Sequence, residues 1–428
     1  MSSVIQQGGS TTGKIPREKG LDQTLALLRE GYEFISNRCG LFQSDIFETR
    51  LMGEKVICMS GEEAARIFYN PRLFQRKGTA PKRVQKTLFG ESAIQTMDGA
   101  AHEHRKQLFM SLMTPERIGM LKDLTQQYFA IAGYDWEGKK AVILFDEMQQ
   151  ILCKAACKWA GVPLNEAEVE KRAGDFGTMV DAFGAVGPRH WQGRRARKRT
   201  EKWIRKVIEY FRSGKIQAPE GTALHAMATY RDTEGKPLSV QMAAVELINI
   251  LRPIVAIATY FTFCALALYE FPKTREQIVA GNEEDLYMFV QEVRRYYPFG
   301  PFLGARVHSG FQWNGVPFNK GQLVLLDVYG TNHDPRLWDD PFLFWPERFR
   351  NWKGGLFDLI PQGGGDFHTG HRCAGELVTI EVLKTGLSFL TKQLEYNVPD
   401  TQNVSVSLTR MPTLPESRFI IDQIKLTP

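Results

Sequence analysis

The segment LSVQMAAVELINILRPIVAIATYFTFCALALYEF, residues 238–271, repeats apolar residues at helical spacing and shows no polar face. A helix that is apolar all round is either a membrane span or the buried centre of a large body. Its longest uncharged apolar run, Ile254 to Tyr269, falls short of the roughly eighteen residues that a span needs. Burial is therefore expected, with no transmembrane helix. Two residues interrupt the pattern, Arg252 and Pro253. Proline removes the bond to the carbonyl of Asn249, so the helix is expected to open or kink there. Three and four positions from Arg252 stand Ile248, Asn249, Val255 and Ala256, so no acid on its own face can pair with it. Glu246 is six residues back and is expected to point elsewhere. A guanidinium in apolar surroundings needs an anion, which comes from another element of the chain or from a bound molecule.

Helical periodicity extends over most of the chain from Leu21 to Val290, as in ILCKAACKWAGV and TEKWIRKVIEYFRSG. EKVICMSG alternates like a strand. After Pro298 the pattern changes to the β-like GARVHSGFQW and QLVLLDVYG, and one further helix, GELVTIEVLKTGLSFLTKQL, follows Cys373. SVSLTRMPTLP and RFIIDQIKL close the chain in extended form. The fold class is thus mainly α with a small, split β region. Length alone allows several domains or one large one. No repeat or Gly/Ser linker divides the folded part, so residues 21–428 are expected to form a single domain. The polar, Gly/Ser-rich residues 1–20 lack the apolar core of a signal peptide and are expected to be a disordered extension.

With 43% apolar and 24% charged residues the composition is that of a globular chain, and a net charge of +6 does not indicate nucleic acid. One basic stretch, GPRHWQGRRARKR at 187–199, is expected to be a solvated loop. Six scattered cysteines without a CxxC pair indicate reduced thiols and a cytoplasmic setting. Cys153 and Cys157 share a helical face, but no further ligand follows them, so both read as small core residues.

The chemistry concentrates in PQGGGDFHTGHRCAGEL, residues 361–377, where Cys373 stands in a glycine-rich loop just before a helix. Backbone N–H groups and the helix dipole stabilise a thiolate in such a place. Three uses of that thiolate compete: a catalytic nucleophile, a zinc site with His368 and His371, and a single axial ligand to haem iron. Zinc lacks a fourth ligand, and a phosphate loop lacks the GK[ST] that would follow its glycines. An inert buried thiol leaves the three consecutive glycines unexplained.

GHRCAGE, with His371 two residues before the cysteine and Gly375 two after it, resembles the haem-binding loop of the cytochromes P-450. QEVRRYYP supplies the ExxR pair Glu292 and Arg295, and WPERF supplies Arg348, in the order that family shows. The resemblance implies a cytochrome P-450 fold in which these three charges form a buried network supporting the haem pocket, each needing its partners because a lone buried ion is expensive. It also implies haem b with the Cys373 thiolate as axial ligand, and contacts from His102 and Lys106 of AAHEHRKQLF to a haem propionate. The loop departs from the family pattern: the usual Phe-Gly-x-Gly lead is missing, GGGDFHTG is enlarged, and Phe367 does not simply replace the missing Phe.

Where most of the family carries an acid followed by threonine to protonate dioxygen, this chain carries Arg252 and Pro253. That pair resembles the bacterial fatty-acid peroxygenases. The resemblance implies that Arg252 holds the carboxylate of a long-chain fatty acid, which then supplies the missing acid–base function for hydrogen peroxide, with attack at the α or β carbon. The Cys373 thiolate would push electron density towards O–O cleavage. Gln95 aligns with a position that carries Gln in hydroxylating members and His in some that decarboxylate to terminal alkenes. Leu88, Phe89, Val180, Phe183, Ala256 and Phe299 are expected to line the acyl channel. A reductase partner is not expected to be required. The rivals are oxidative decarboxylation and, in another class, a haem sensor or fatty-acid carrier without turnover.

Overall fold

The computed structural model describes residues 15–427. Its centre is the helix Val240–Glu270, which begins where the Ser239 side chain accepts a hydrogen bond from the Met242 amide. It is long and apolar enough to cross a membrane, yet 89% of its apolar window is buried inside the protein. The helices Leu144–Ala160, Val169–Asp181, Pro188–Arg212, Glu283–Tyr296 and Glu376–Lys392 pack around it. The apolar residues that gave it no polar face have neighbours on every side. Pro253 does not divide it: the helix is continuous through residue 253, and the expected opening reduces to one missing amide donor.

Close approach fixes part of this packing. A Cβ on Gly386 would stand 2.1 Å from the Phe261 ring, so the helix that follows the cysteine loop lies directly on the central helix at that point. The Phe129 and Phe389 rings stack beside it with centroids 4.8 Å apart.

The β region is split as expected. Five strands run in the order Ile46–Leu51, Glu54–Met59, Leu323–Asp327, Phe302–Val307 and Phe74–Gln75. Glu54–Met59 and Leu323–Asp327 are parallel, with Cys58 opposite Leu325, and the other pairs are antiparallel. Ala141–Ile143, Ile420–Leu426 and Leu394–Asn397 form a second sheet. Phe311–Trp313 and Val316–Phe318 form a hairpin closed by Asn314 and Gly315, both with positive φ, as a tight hairpin turn requires.

Two expectations are corrected. The basic stretch is no loop: residues 188–199 are the first half of the helix Pro188–Arg212, where Arg189 pairs with Asp181, Arg197 with Glu201 and Arg199 with Asp175. Its charges are the polar side of an amphipathic helix whose other face is in the core. Residues 16–18 are not part of a disordered extension. Residues 1–14 lie outside the described residues, but the Glu48 amide donates to Pro16 O at 2.8 Å, and Glu18 accepts from Arg38 at 2.8 Å and from Thr49 at 2.7 Å. Those partners hold residues 16–18 against the first sheet. Cys153 and Cys157 are buried in the helical core.

Candidate active site

A cavity of about 400 Å³ lies between the central helix and the cysteine loop. Arg252, Pro253, Ala256 and Tyr260 line it from the helix, and Cys373, Ala374 and Gly375 from the loop. Leu88, Phe89, Gln95, His102, Lys106, Val180, Phe183, Phe299 and His371 complete the candidate residues on its wall. Glu292, Arg295 and Arg348 do not reach it. They lie behind it, where Arg295 meets Glu292 at 2.7 Å with neither side chain exposed and Arg348 approaches the same carboxylate at 3.3 Å. Arg295 also donates to the carbonyls of Asn332 and Pro341. The pairing fixes the order of these segments without touching whatever fills the cavity.

Local folding brings the thiol to this wall. Cys373 N donates to Gln362 O at 3.0 Å, and the helix that starts at Glu376 follows at once. The three glycines have a packing reason: Gly363 and Gly365 have φ of 92° and 81°, and a Cβ on any of the three would press on Tyr69 at 3.0 to 3.2 Å. The Arg294 guanidinium, next to the ExxR arginine, pairs with Glu376, which Arg372 also holds at 2.6 Å. Sequence reasoning missed this second buried pair, although the doubled arginine and the acid of GHRCAGE were its signal. Burial pushes the Cys373 thiol up, against the Gly375 amide, Lys106 and Arg294, which favour the thiolate.

One edge of the cavity is polar. His102 and His371 stack with ring centroids 4.0 Å apart, and His371 Nε2 stands 3.4 Å from Asp98. Burial, with His371 and Lys106 nearby, brings His102 down to about 3, and burial lowers His371 despite Asp98. His102 is therefore a neutral hydrogen-bonding group, and burial disfavours the charged form of His371 as well. Lys106 is brought down to about 8 by burial and donates to the Arg372 carbonyl, so it is the cation of this edge. Phe367 is not on the wall.

On the opposite wall Arg252 is 5% exposed. Among the described residues it makes no ion pair: Nη2 donates to Asn249 Oδ1 at 3.3 Å, and Nε has no partner. A carboxylate from another element, the simplest partner for such a residue, is thus not what it meets. Burial first, and then the neighbouring Arg197, bring it down to about 9, so it stays protonated at neutral pH. Glu246 does point elsewhere, to Arg105 at 2.9 Å. Arg197 pairs with Glu201 at 2.6 Å and donates to Leu88 O at 2.8 Å. Three arginines face two carboxylates in this cluster, and the cavity side keeps one positive charge. Asn249, Glu246, Arg105 and Arg197 were not recognised as part of the site, because three of the four are brought there from other faces and other elements.

The residues fit haem better than any other group considered. The cavity has one thiol on its wall, and no cluster of three His, Cys, Asp or Glu side chains able to hold a metal ion occurs among the described residues. Zinc with His368 and His371 is excluded on that donor set. A single soft axial ligand, apolar walls and a lysine with two imidazoles at one edge suit a flat apolar disc bearing carboxylates.

The model of the family "Cytochrome P450" matches residues 286–421. The curated relatives matched first are matched over only 24 to 30% of their own length. Solved structures match throughout. Cytochrome P450EX alpha (CYP152N1) with myristic acid is 47% identical with a TM-score of 0.94, covering 97% of this chain and all of that one. Cytochrome P450SP alpha (CYP152B1) in complex with (R)-ibuprophen is 43% identical with a TM-score of 0.93, covering 95% and all. A variant of cytochrome P450 OleT in complex with arachidonic acid is 38% identical with a TM-score of 0.94, covering 97% and 99%. Identity at that level over whole chains shows more than a shared fold: the chain belongs to the cytochrome P450 family, as a haem-thiolate enzyme whose axial sulfur comes from Cys373.

Proposed function

We propose that the protein hydroxylates long-chain fatty acids with hydrogen peroxide, at the α or β carbon, with Arg252 holding the substrate carboxylate. The observation that carries this reading is the buried Arg252 guanidinium, which lines the cavity across from Cys373 and has no carboxylate partner. The solved relatives with myristic and arachidonic acid bound support a fatty acid as the occupant.

Haem supplies the oxygen-transfer chemistry when bound, with the Cys373 thiolate donating electron density towards O–O cleavage. The chain's own residues bind and orient. Arg252 offers its uncommitted N–H groups to the carboxylate in a charge-assisted fork. Leu88, Phe89, Val180, Phe183, Ala256 and Phe299 take the acyl chain, exclude water and hold it extended from that anchor. Among the described residues no Asp or Glu lines the cavity. The substrate carboxylate is then the acid–base group of the site, taking a proton from hydrogen peroxide and returning it to the oxygen that leaves as water. One C–H becomes C–OH, and peroxide is reduced to water. A carboxylate fixed at one end restricts attack to the carbons beside it. His102 and Lys106 would hold a haem propionate, with His371 stacked on His102, and Gln95 would stand near the haem. No reductase is needed, because peroxide is dioxygen already reduced by two electrons.

The test is incubation of the haem-loaded protein with myristic acid and peroxide, followed by product analysis. The expected products are 2- and 3-hydroxy acids. A terminal alkene as the main product would move the reading to decarboxylation. No oxidised product from a protein with a normal thiolate-haem spectrum would leave only a carrier or sensor.

A further inference from the structure

Behind the cavity wall runs a buried polar chain that the proposed reaction does not use. Glu246 has no exposed surface, and its Oε1 accepts from Arg105 Nη1 at 2.9 Å and from the Ile94 amide at 3.0 Å. Its Oε2 accepts from Asn249 Nδ2 at 3.2 Å. The same nitrogen donates to Phe89 O at 2.9 Å and approaches Gln95 Oε1 at 3.4 Å. An amide has two different ends, and three acceptors on one side decide which end faces them. The Asn249 oxygen is thereby turned to Arg252.

We propose that Glu246 is the positioning residue of the carboxylate site: held by Arg105, it fixes the Asn249 amide in the orientation that aims Arg252, and it leaves Arg252 without a carboxylate of its own. The inference rests on the reading of Arg252 as the carboxylate anchor. Glu246 lies one helical turn before Asn249 and two before the anchor on the central helix, yet its charge is spent on Arg105 from the helix Gly99–Ser111. That ion pair is what keeps a carboxylate so near the cavity from neutralising the anchor. Asn249 passes on direction without charge. Turned the other way, its NH₂ group would face the guanidinium, donor against donor, and the three acceptors would face an oxygen. One carboxylate thus sets the directions of two wall residues, Arg252 and Gln95, and ties down the Phe89 carbonyl between them.

The experiment compares two probes on the haem-loaded protein by calorimetric titration: myristic acid, and 1-tetradecanol, which has the same chain without the charge. In Glu246→Gln the acid is expected to bind at least tenfold more weakly, with the affinity for the alcohol unchanged. Because this change leaves Arg105 buried and unpaired, Glu246→Gln combined with Arg105→Met is the control for folding. The double variant is expected to recover thermal stability and to keep the selective loss for the acid. Equal losses for both probes, unchanged affinity for both, or recovered acid affinity in the double variant would each overturn the proposal. Arg252→Ala separates the two levels. If it binds the acid like the wild type, the anchor reading itself fails; if it loses the acid while Glu246→Gln does not, only the positioning role fails.

Discussion

Arg252 gives Nη2 to the amide oxygen of Asn249, one turn earlier on the same helix, at 3.3 Å, and the pair is enclosed with 5% and 4% exposure. A neutral acceptor satisfies direction but not charge. An uncompensated buried cation is unfavourable for the protein alone and favourable for an anionic ligand.

Arg252→Ala is therefore expected to move two measurements in opposite directions. Affinity for myristic acid falls on the order of thirtyfold or more, as for truncating one partner of a buried charge pair. Stability of the ligand-free protein to urea stays level or rises, because no ion pair is lost. A large loss of stability would show that Arg252 has a structural partner.

Asn249→Asp places one carboxylate oxygen where the amide oxygen now meets Arg252 and the other against Glu246 Oε2, Phe89 O and Gln95 Oε1, so a loss of stability to urea is expected alongside. The anchor is then paired within the chain, and myristic acid should lose tenfold or more in affinity, about 1.4 kcal/mol, while 1-tetradecanol is retained. Calorimetric titration of both compounds checks this, and undiminished binding of the acid would argue against a single carboxylate site on Arg252.

Glu292→Ala is expected to cost about 3–5 kcal/mol, since it leaves Arg295 buried and Arg348 short of its carboxylate. Urea unfolding measures it, and haem content should fall with the folded fraction. A cost near that of a surface ion pair, below about 1 kcal/mol, would contradict the burial seen here.

Asp327 provides a test by pH. Burial pushes its carboxyl up to about 6, against hydrogen bonds from Gly330, Ser36 and Ser60. Because its folded value lies above the unfolded one, its contribution is fully present below the unfolded value of about 3.9 and is lost as pH rises through about 6. The stability of Asp327→Asn relative to the wild type should thus increase by about 2 kcal/mol between pH 4 and pH 7. A difference that does not change with pH would place the ionised carboxylate in a better-solvated setting.

Local geometry was legible in the sequence, and distant partnership was not. That no acid could meet Arg252 from its own face followed from helix spacing alone, and the structure agrees. The strands, the buried central helix and the ExxR pair are likewise short-range patterns. Glu246 meeting Arg105 joins positions 141 residues apart, and nothing in either neighbourhood signals the other. The basic stretch failed as a loop because only Gly193 and Ala196 mark its buried face among the charges, although that face continues through Thr200, Ile204 and Ile208 of the segment read as helical. Pro253 was expected to disrupt, but a helix enclosed by its neighbours absorbs one missing bond. The three glycines before the cysteine were read as chemistry, whereas their spacing serves the Tyr69 ring.

Among the described residues the cavity wall holds a cation but no Asp or Glu, which has a further consequence if peroxide is the oxidant. On the proposed reading, peroxide that enters before its substrate meets no carboxylate beside Arg252 to shuttle its proton, which would limit oxidation of Met113 and Tyr260 on the same wall. The arriving acid would then be both substrate and trigger, and a resting enzyme would be guarded by what it lacks.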